Sequence, residues 1–219
     1  MSYAPSAHSI RRLLALGAAV VLSLGLVGSP AGATGKPDQA GDYYQRPAPY
    51  HNTGTFDPEC ADVDVSVAYD YQGVDSVRVV NGSDDQAFLL KDRFRFEEIW
   101  SDASTGEVLL VWRGRYRFQE VRADFVPNSD VPDDLVPPEG LVGPVYRFTA
   151  VERGHDRLRD ADGRVLYRTA GLAVYENLFD TLGDHQPGGT SLSFDVVKVV
   201  GPHPLIDVDV CDVAAEQVG

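Results

Sequence analysis

From Val63 to Val210 apolar and polar residues alternate with a period of two through almost the whole chain. This is the pattern of strands that bury one face and wet the other. Turn signals cut the pattern at regular intervals. "VDVSVAYDY" (63–71) runs to Gln72-Gly73, which predicts a turn into "VDSVRVV" (74–80). After the acidic break at "NGSDDQ" (81–86), long strands are predicted over 87–100 and 107–126, joined by "SDASTG". "PNSDVPDDLVPPEG" (127–140), with its prolines and acids, predicts a long loop. Strand signals resume at 145–153, 164–179, 190–200 and 205–210, which makes eight, and no helix of ordinary length is evident. "DVAAEQVG" after Cys211 reads as at most a short helical turn.

The two parities differ in chemistry. In 87–100, Lys91, Arg93, Arg95 and Glu97 fall on one face, with Leu90, Phe94, Phe96 and Trp100 on the other. "VWRGRYRFQEV" (111–121) sets Arg113, Arg115 and Arg117 against Trp112, Tyr116 and Phe118, and 145–153 sets Arg147 against Tyr146 and Phe148. Burying a large apolar side chain gains about 1.5–3 kcal/mol, whereas an unpaired buried charge costs several. The aromatic parity is therefore expected inside, with Trp112, Tyr116 and Tyr146 lining the interior. Gly114 lies on that parity, where a missing side chain relieves crowding or admits a ligand. The arginines Arg93, Arg95, Arg113, Arg115, Arg117 and Arg147 then form an outer face on which like charges oppose one another. That is unfavourable unless acids of the long loop (Asp130, Asp133, Asp134) or a bound anion cover it. An ordinary solvated face with arginine stems lying on apolar surface is the competing reading.

An eight-stranded antiparallel meander can close into a barrel, which removes exposed edges. In such a barrel the start of the first strand lies beside the end of the last, so Cys60 and Cys211 would join those two strands in a disulfide. A two-sheet sandwich remains the alternative. Residues 1–33 read as a cleaved signal peptide, because Arg11-Arg12 precede an apolar run to Val27 and then Ala31-Gly32-Ala33. That run is too short for a membrane span, and no other stretch of the chain approaches spanning length. Residues 34–55 read as a flexible linker and 56–215 as a single β-barrel domain. Export to an oxidising, extracellular compartment agrees with two cysteines used as one bridge.

The chain of 219 residues carries a formal net charge of −14. Such acidity argues against general nucleic-acid binding, which requires a basic footprint. "SDASTGEVLLVWRGRYRF", "GRVLYRTAGLAVYENL" and "GPHPLIDVDVCDVAAE", with a leader and a cysteine at each end of the domain, resemble the small secreted β-barrel proteins of actinobacteria whose function is unassigned. The similarity runs over about residues 60–215 and implies a lipocalin-like or allene-oxide-cyclase-like barrel. It carries over no functional residue.

Local catalytic signatures are missing. There is no Gly-x-Ser-x-Gly elbow, and neither cysteine is expected to be free. "GHD" (154–156) and "GDH" (183–185) place histidine beside aspartate in what read as turns. In a meander His155 and His203 would share one end and His185 the other, while His51 lies in the linker, so no metal site is expected. The acids of 81–86, 130–139 and 160–163 follow no EF-hand spacing, and no cofactor is expected. Asn81-Gly82-Ser83 is read as a turn rather than a glycosylation site. These features describe an exported, monomeric, non-enzymatic barrel that binds a small apolar or amphipathic ligand or an anionic envelope component. The alternatives are an isomerase of allene-oxide-cyclase type and a structural protein with a filled core.

Overall fold

The computed structural model describes residues 43–206 and 208–218, so the leader lies outside the described residues. Seven strands form one antiparallel sheet in sequence order: β1 (Tyr43–Phe56), β2 (Val65–Val79), β3 (Phe88–Asp102), β4 (Val108–Val126), β5 (Val145–Asp160), β6 (Val165–Asp180) and β7 (Thr190–Val200). The meander is as expected, but its closure is not. The sheet stays open, with β1 and β7 as its edges.

Three differences explain the count of seven. Gln72-Gly73 does not turn, and 63–71 and 74–80 run on as the single strand β2. Gly73 is there for packing, because a Cβ at this position would lie 2.6 Å from the Tyr50 ring and 2.7 Å from the Arg93 carbonyl oxygen. Residues 43–55, expected in the linker, form β1 and pair with β2 from Gly54↔Tyr69 back to Tyr43↔Arg78. Pro47 and Pro49 fit an edge strand, where a missing N–H need not break a ladder. Finally, the described residues of 205–210 form no strand. Pro202 and Pro204 stop β7, a 3-10 turn covers Pro204–Ile206, and the short helix α1 (Val210–Ala215) follows, with the Asp209 carboxylate accepting from the Cys211 N–H at its N-cap.

The disulfide accordingly does something other than expected. Cys60 lies in the β1–β2 loop and Cys211 in α1, with their Cα atoms 5.4 Å apart. The bridge does not join the first and last strands. It fastens the C-terminal segment after that segment has crossed from the β7 edge. Leu205, Val210, Val213 and Ala214 pack there on Val65, Val67, Trp100, Leu110 and Leu158, closing one end of the concave face. At the other end Ala87 and Leu89 pack against Tyr146 and Phe148 across the coil of the sheet. The β6–β7 loop reaches the same region, where Gln86 bonds His185 and the Tyr44 hydroxyl donates to Gln186.

The long loop makes two 3-10 turns, Asn128–Asp130 and Asp133–Leu135. Val131, Leu135, Val136 and Leu141 cover Val126, Val145 and Leu178 on the convex side. Glycines within strands recur as seats for rings. A Cβ on Gly54, Gly114 or Gly154 would strike Tyr69, Phe96 or Tyr116 at 2.7, 2.5 and 2.3 Å. Each ring leans over the bare backbone of the neighbouring strand, so the aromatics overlap like shingles.

Candidate functional site

The ladder register fixes what each face presents. On the convex face Arg93↔Arg117↔Arg153 forms one row across β3, β4 and β5, and Arg95↔Arg115↔His155 the next. A third row is Glu97↔Arg113↔Arg157↔Arg168, extending into β6. All these arginines are exposed. With strands about 4.8 Å apart and same-face residues about 6.8 Å apart, the grid spans roughly 14 by 14 Å. Among the described residues, the grid arginine held in an ion pair is Arg113, by Glu97. Arg95 donates to Gln72 and Arg117 to Gln119.

Arg153, Arg157 and Arg168 were missed in the sequence, and His155 was weighed only beside Asp156 and as a metal ligand, although "RGHDRLR" repeats the parity of "RGRYR". Arg147 was included but lies elsewhere. It pairs with Asp124 and Leu178 beyond the β4 bulge at Val121, beside a cleft of about 140 Å³ lined by Pro132, Leu135, Glu176 and Asp195. Nor do the loop acids cover the grid. Asp130, Asp133 and Asp134 are exposed, and no ion pair links them to these arginines among the described residues. The loop spends its apolar residues on the convex cluster near Val145, which holds it away from β3–β5 Arg rows.

The concave face has the opposite sign. Phe94, Phe96, Trp100, Trp112 and Tyr116 face inward, and so do Asp75, Asp92, Glu98, Glu120, Glu152 and Asp156. Glu98 is 1% exposed and Asp156 2%. The carboxyls take aromatic, backbone or amide donors rather than cations, and one oxygen each of Asp92 and Asp156 has no partner among the described residues. Tyr71 O–H and Trp100 Nε1–H donate to Glu98, Tyr116 O–H to Asp156, Tyr50 O–H to Asp92 and Tyr175 O–H to Glu152. The Leu90 N–H donates to Glu120 at 2.6 Å, and Gln45 Nε2 to Asp75 at 3.1 Å.

Burial disfavours the charged forms. It pushes Asp92 up to about 6, and Glu120 and Glu152 up to about 7. Glu98 and Asp75 are raised for the same reason. The hydroxyls of Tyr50, Tyr71, Tyr116 and Tyr175 are raised by burial and then by the carboxylates they bond, so they act here as donors.

Trp112 and Tyr116 belong to this face, whereas Tyr146 sits in the separate cluster at the far end. Gly114 admits the Phe96 ring. Its parity signal also held for the acids, since Glu98 shares the parity of Phe96 and Trp100, and Asp156 that of Leu158. The histidine pairs dissolve: "GHD" lies inside β5, where His155 and Asp156 point to opposite faces. His51 lies by Asp70 and His185 by Gln86, on different elements. Among the described residues no group of three or more His, Cys, Asp or Glu is placed to hold a metal ion, and no helix is long and apolar enough to cross a membrane. No known protein family, curated protein or solved structure matches the chain.

Proposed function

We propose that this is an exported binding protein whose convex arginine grid docks an anionic polymer of the cell envelope. The observation that carries the reading is the cross-strand pairing of basic side chains: Arg93↔Arg117, Arg95↔Arg115, Arg117↔Arg153, Arg113↔Arg157 and Arg157↔Arg168. Directly opposed like charges destabilise a sheet. A chain of net charge −14 has acids in plenty to alternate with arginine, yet here concentrates its cations. Such an arrangement costs folding free energy and gains it back only when an anion is bound. Guanidinium forks suit phosphate, sulfate and carboxylate oxygens. Spacings of roughly 5–7 Å suit a polymer that carries one anionic group per repeat. The Cys60–Cys211 bridge agrees with an oxidising compartment and supports export.

The test is retention on immobilised heparin and binding to long-chain polyphosphate over a salt series. The wild-type chain is retained, and log affinity falls steeply with log salt through counterion release. The triple variant Arg113→Gln, Arg115→Gln, Arg117→Gln elutes at clearly lower salt with a shallower slope. Arg164→Gln, in the exposed β5–β6 turn, elutes as wild type. Equal loss in both variants, or no loss in either, removes the grid as the docking face.

A further inference from the structure

The arginine grid contains a residue whose type changes charge near neutral pH. His155 ends the middle row, directly opposite Arg115 on β4 and Ala170 on β6. Its diagonal neighbours are Arg113 and Arg117 on β4 and Arg168 and Leu172 on β6, and along β5 it stands between Arg153 and Arg157. These eight positions hold six arginines and no acid. Glu97, the acid of the third row, stands on β3 and is taken by Arg113. Asp156, next in the chain, points to the concave face and accepts from the Tyr116 hydroxyl. The long loop with its acids packs around Val145 and Leu178, away from this row. His155 itself is exposed, so its ring is open to anything seated on the grid. His51 ends the same row on the other side, through Gln72 and Arg95, but its Nε2 lies 3.1 Å from Asp70 Oδ1. A charge on His51 is thus met by an acid of the same chain, and a charge on His155 is not.

A histidine ring gains its charge at about pH 6.5, inside the range an extracellular surface meets. In Arg153-x-His155-x-Arg157 the strand alternation puts this switchable cation between two permanent ones. A proton on the ring adds a cation to the grid, and a seated polyanion supplies the opposite charge that holds it there. Protonation and docking therefore favour each other, and the coupling is reciprocal. We infer that His155 makes polyanion docking on the convex face proton-dependent, with the charged ring completing the basic row Arg95–Arg115–His155. The inference rests on the polymer-docking reading and adds the regulation of that same face: docking tightens as pH falls through histidine's range and loosens as pH rises. Its size follows from counterion release. One more cation against the polymer adds about 0.7–0.9 to the slope of log affinity against log salt, which at 50 mM salt amounts to about tenfold in affinity.

The test uses dextran sulfate, whose sulfate esters keep their charge throughout, and measures its affinity for the intact disulfide-bonded chain over a salt series at about pH 5.5 and pH 8, on either side of histidine's range. The concave carboxyls Asp92, at about 6, and Glu120 and Glu152, at about 7, also titrate between these values, so the reading is taken against variants that keep them. From pH 8 to pH 5.5 the wild-type affinity at 50 mM salt rises by about tenfold more than that of His155→Gln, and its salt slope steepens by about 0.7–0.9. His155→Gln shows no such steepening. His155→Arg, with the charge fixed, binds about tenfold more tightly than His155→Gln at both pH values, and its slope does not change with pH. His185→Gln, in the β6–β7 loop, behaves as wild type. Both substitutions at 155 are made at an exposed strand position, and circular dichroism confirms that each variant is folded. A pH dependence that survives in His155→Gln or His155→Arg overturns the inference, as does a wild-type slope that is the same at both pH values. In those cases the wild-type chain still binds and the docking reading stands. A wild-type chain that binds at neither pH removes the docking reading and this inference with it.

Discussion

Arg115 stands at the centre of the convex grid, and removing its charge should stabilise the protein. It faces Arg95 on β3 and His155 on β5, with Arg113 and Arg117 two residues away along its own strand. Two unit charges about 8 Å apart in water repel by about 0.5 kcal/mol. Three arginine neighbours sum to about 1.5 kcal/mol, and the Glu97 partner of Arg113 trims this to about 1 kcal/mol at low ionic strength. Glutamine keeps part of the stem that covers the strand, so Arg115→Gln isolates the charge. For a domain of this size 1 kcal/mol corresponds to a rise of about 2–4 °C in Tm. Thermal unfolding followed by circular dichroism in 10 mM salt should show that rise. In 0.5 M salt, where the screening length falls to about 4–5 Å, it should nearly vanish. Polyphosphate should raise the wild-type Tm and raise that of the variant less, since a ligand stabilises only the state it binds. A variant that is less stable than wild type at low salt, or one whose gain is indifferent to salt, would refute the account of a strained cationic grid.

Three further outcomes follow from the packing. Carboxyls raised in the folded state contribute stability that is complete below their unfolded values near 4 and lost as pH climbs through the folded ones. With Asp92 at about 6 and Glu120 and Glu152 at about 7, urea midpoints should be higher at pH 5 than at pH 8, by an amount Glu152→Gln reduces. A maximum near pH 8 would contradict this. The double variant Cys60→Ser, Cys211→Ser should lose about 2–5 kcal/mol in urea unfolding, because the bridge spans 151 residues and fastens α1; an unmoved midpoint would assign the docking of α1 to its apolar contacts alone. Gly154→Ala should cost about 1–3 kcal/mol, against the usual small gain of such a change, because its Cβ would meet the Arg115 carbonyl oxygen at 2.4 Å as well as the Tyr116 ring; equal stability, read from the same urea unfolding, would show that the strand yields.

The sequence made the strands of the middle legible and the ends illegible, for definite reasons. Alternation at 88–102 and 108–126 specifies both strand and face, because aromatic and arginine parities differ so strongly in transfer energy. β1 escaped because prolines and polar residues mark loops on average, yet an edge strand needs only one side of its backbone paired. Gly73 was taken for a turn because a bare backbone has two uses, and only the Tyr50 ring lying on it tells them apart. Barrel closure failed with the eighth strand, whose apolar alternation at 205–210 serves equally as the entry to a helix that plugs the concave face. Of the candidate site, six arginines were read from parity and five share the grid. The inner acids were overlooked because acids are expected outside, and nothing local reveals a tyrosine partner on another strand.

Seen together, the two faces are one electrostatic device. Two inner acids are the chain neighbours of outer arginines: Asp92 precedes Arg93, and Glu152 precedes Arg153. Across the backbone the two heads lie roughly 12 Å apart, where a unit charge contributes between about 0.3 and 1.4 kcal/mol as the effective dielectric runs from 80 to 20. That corresponds to about 0.2–1 pH unit in the inner carboxyl. The arginines thus favour the ionised acids that burial opposes. Arg153→Gln should therefore move the Glu152 titration, followed by carboxyl carbon resonances, upward from its value of about 7. By the same reasoning a polyanion seated on the grid should move it upward too. A Glu152 titration that ignores both Arg153→Gln and polyphosphate would show that the backbone and solvent screen one face from the other. The grid and the acidic concavity would then act as independent surfaces.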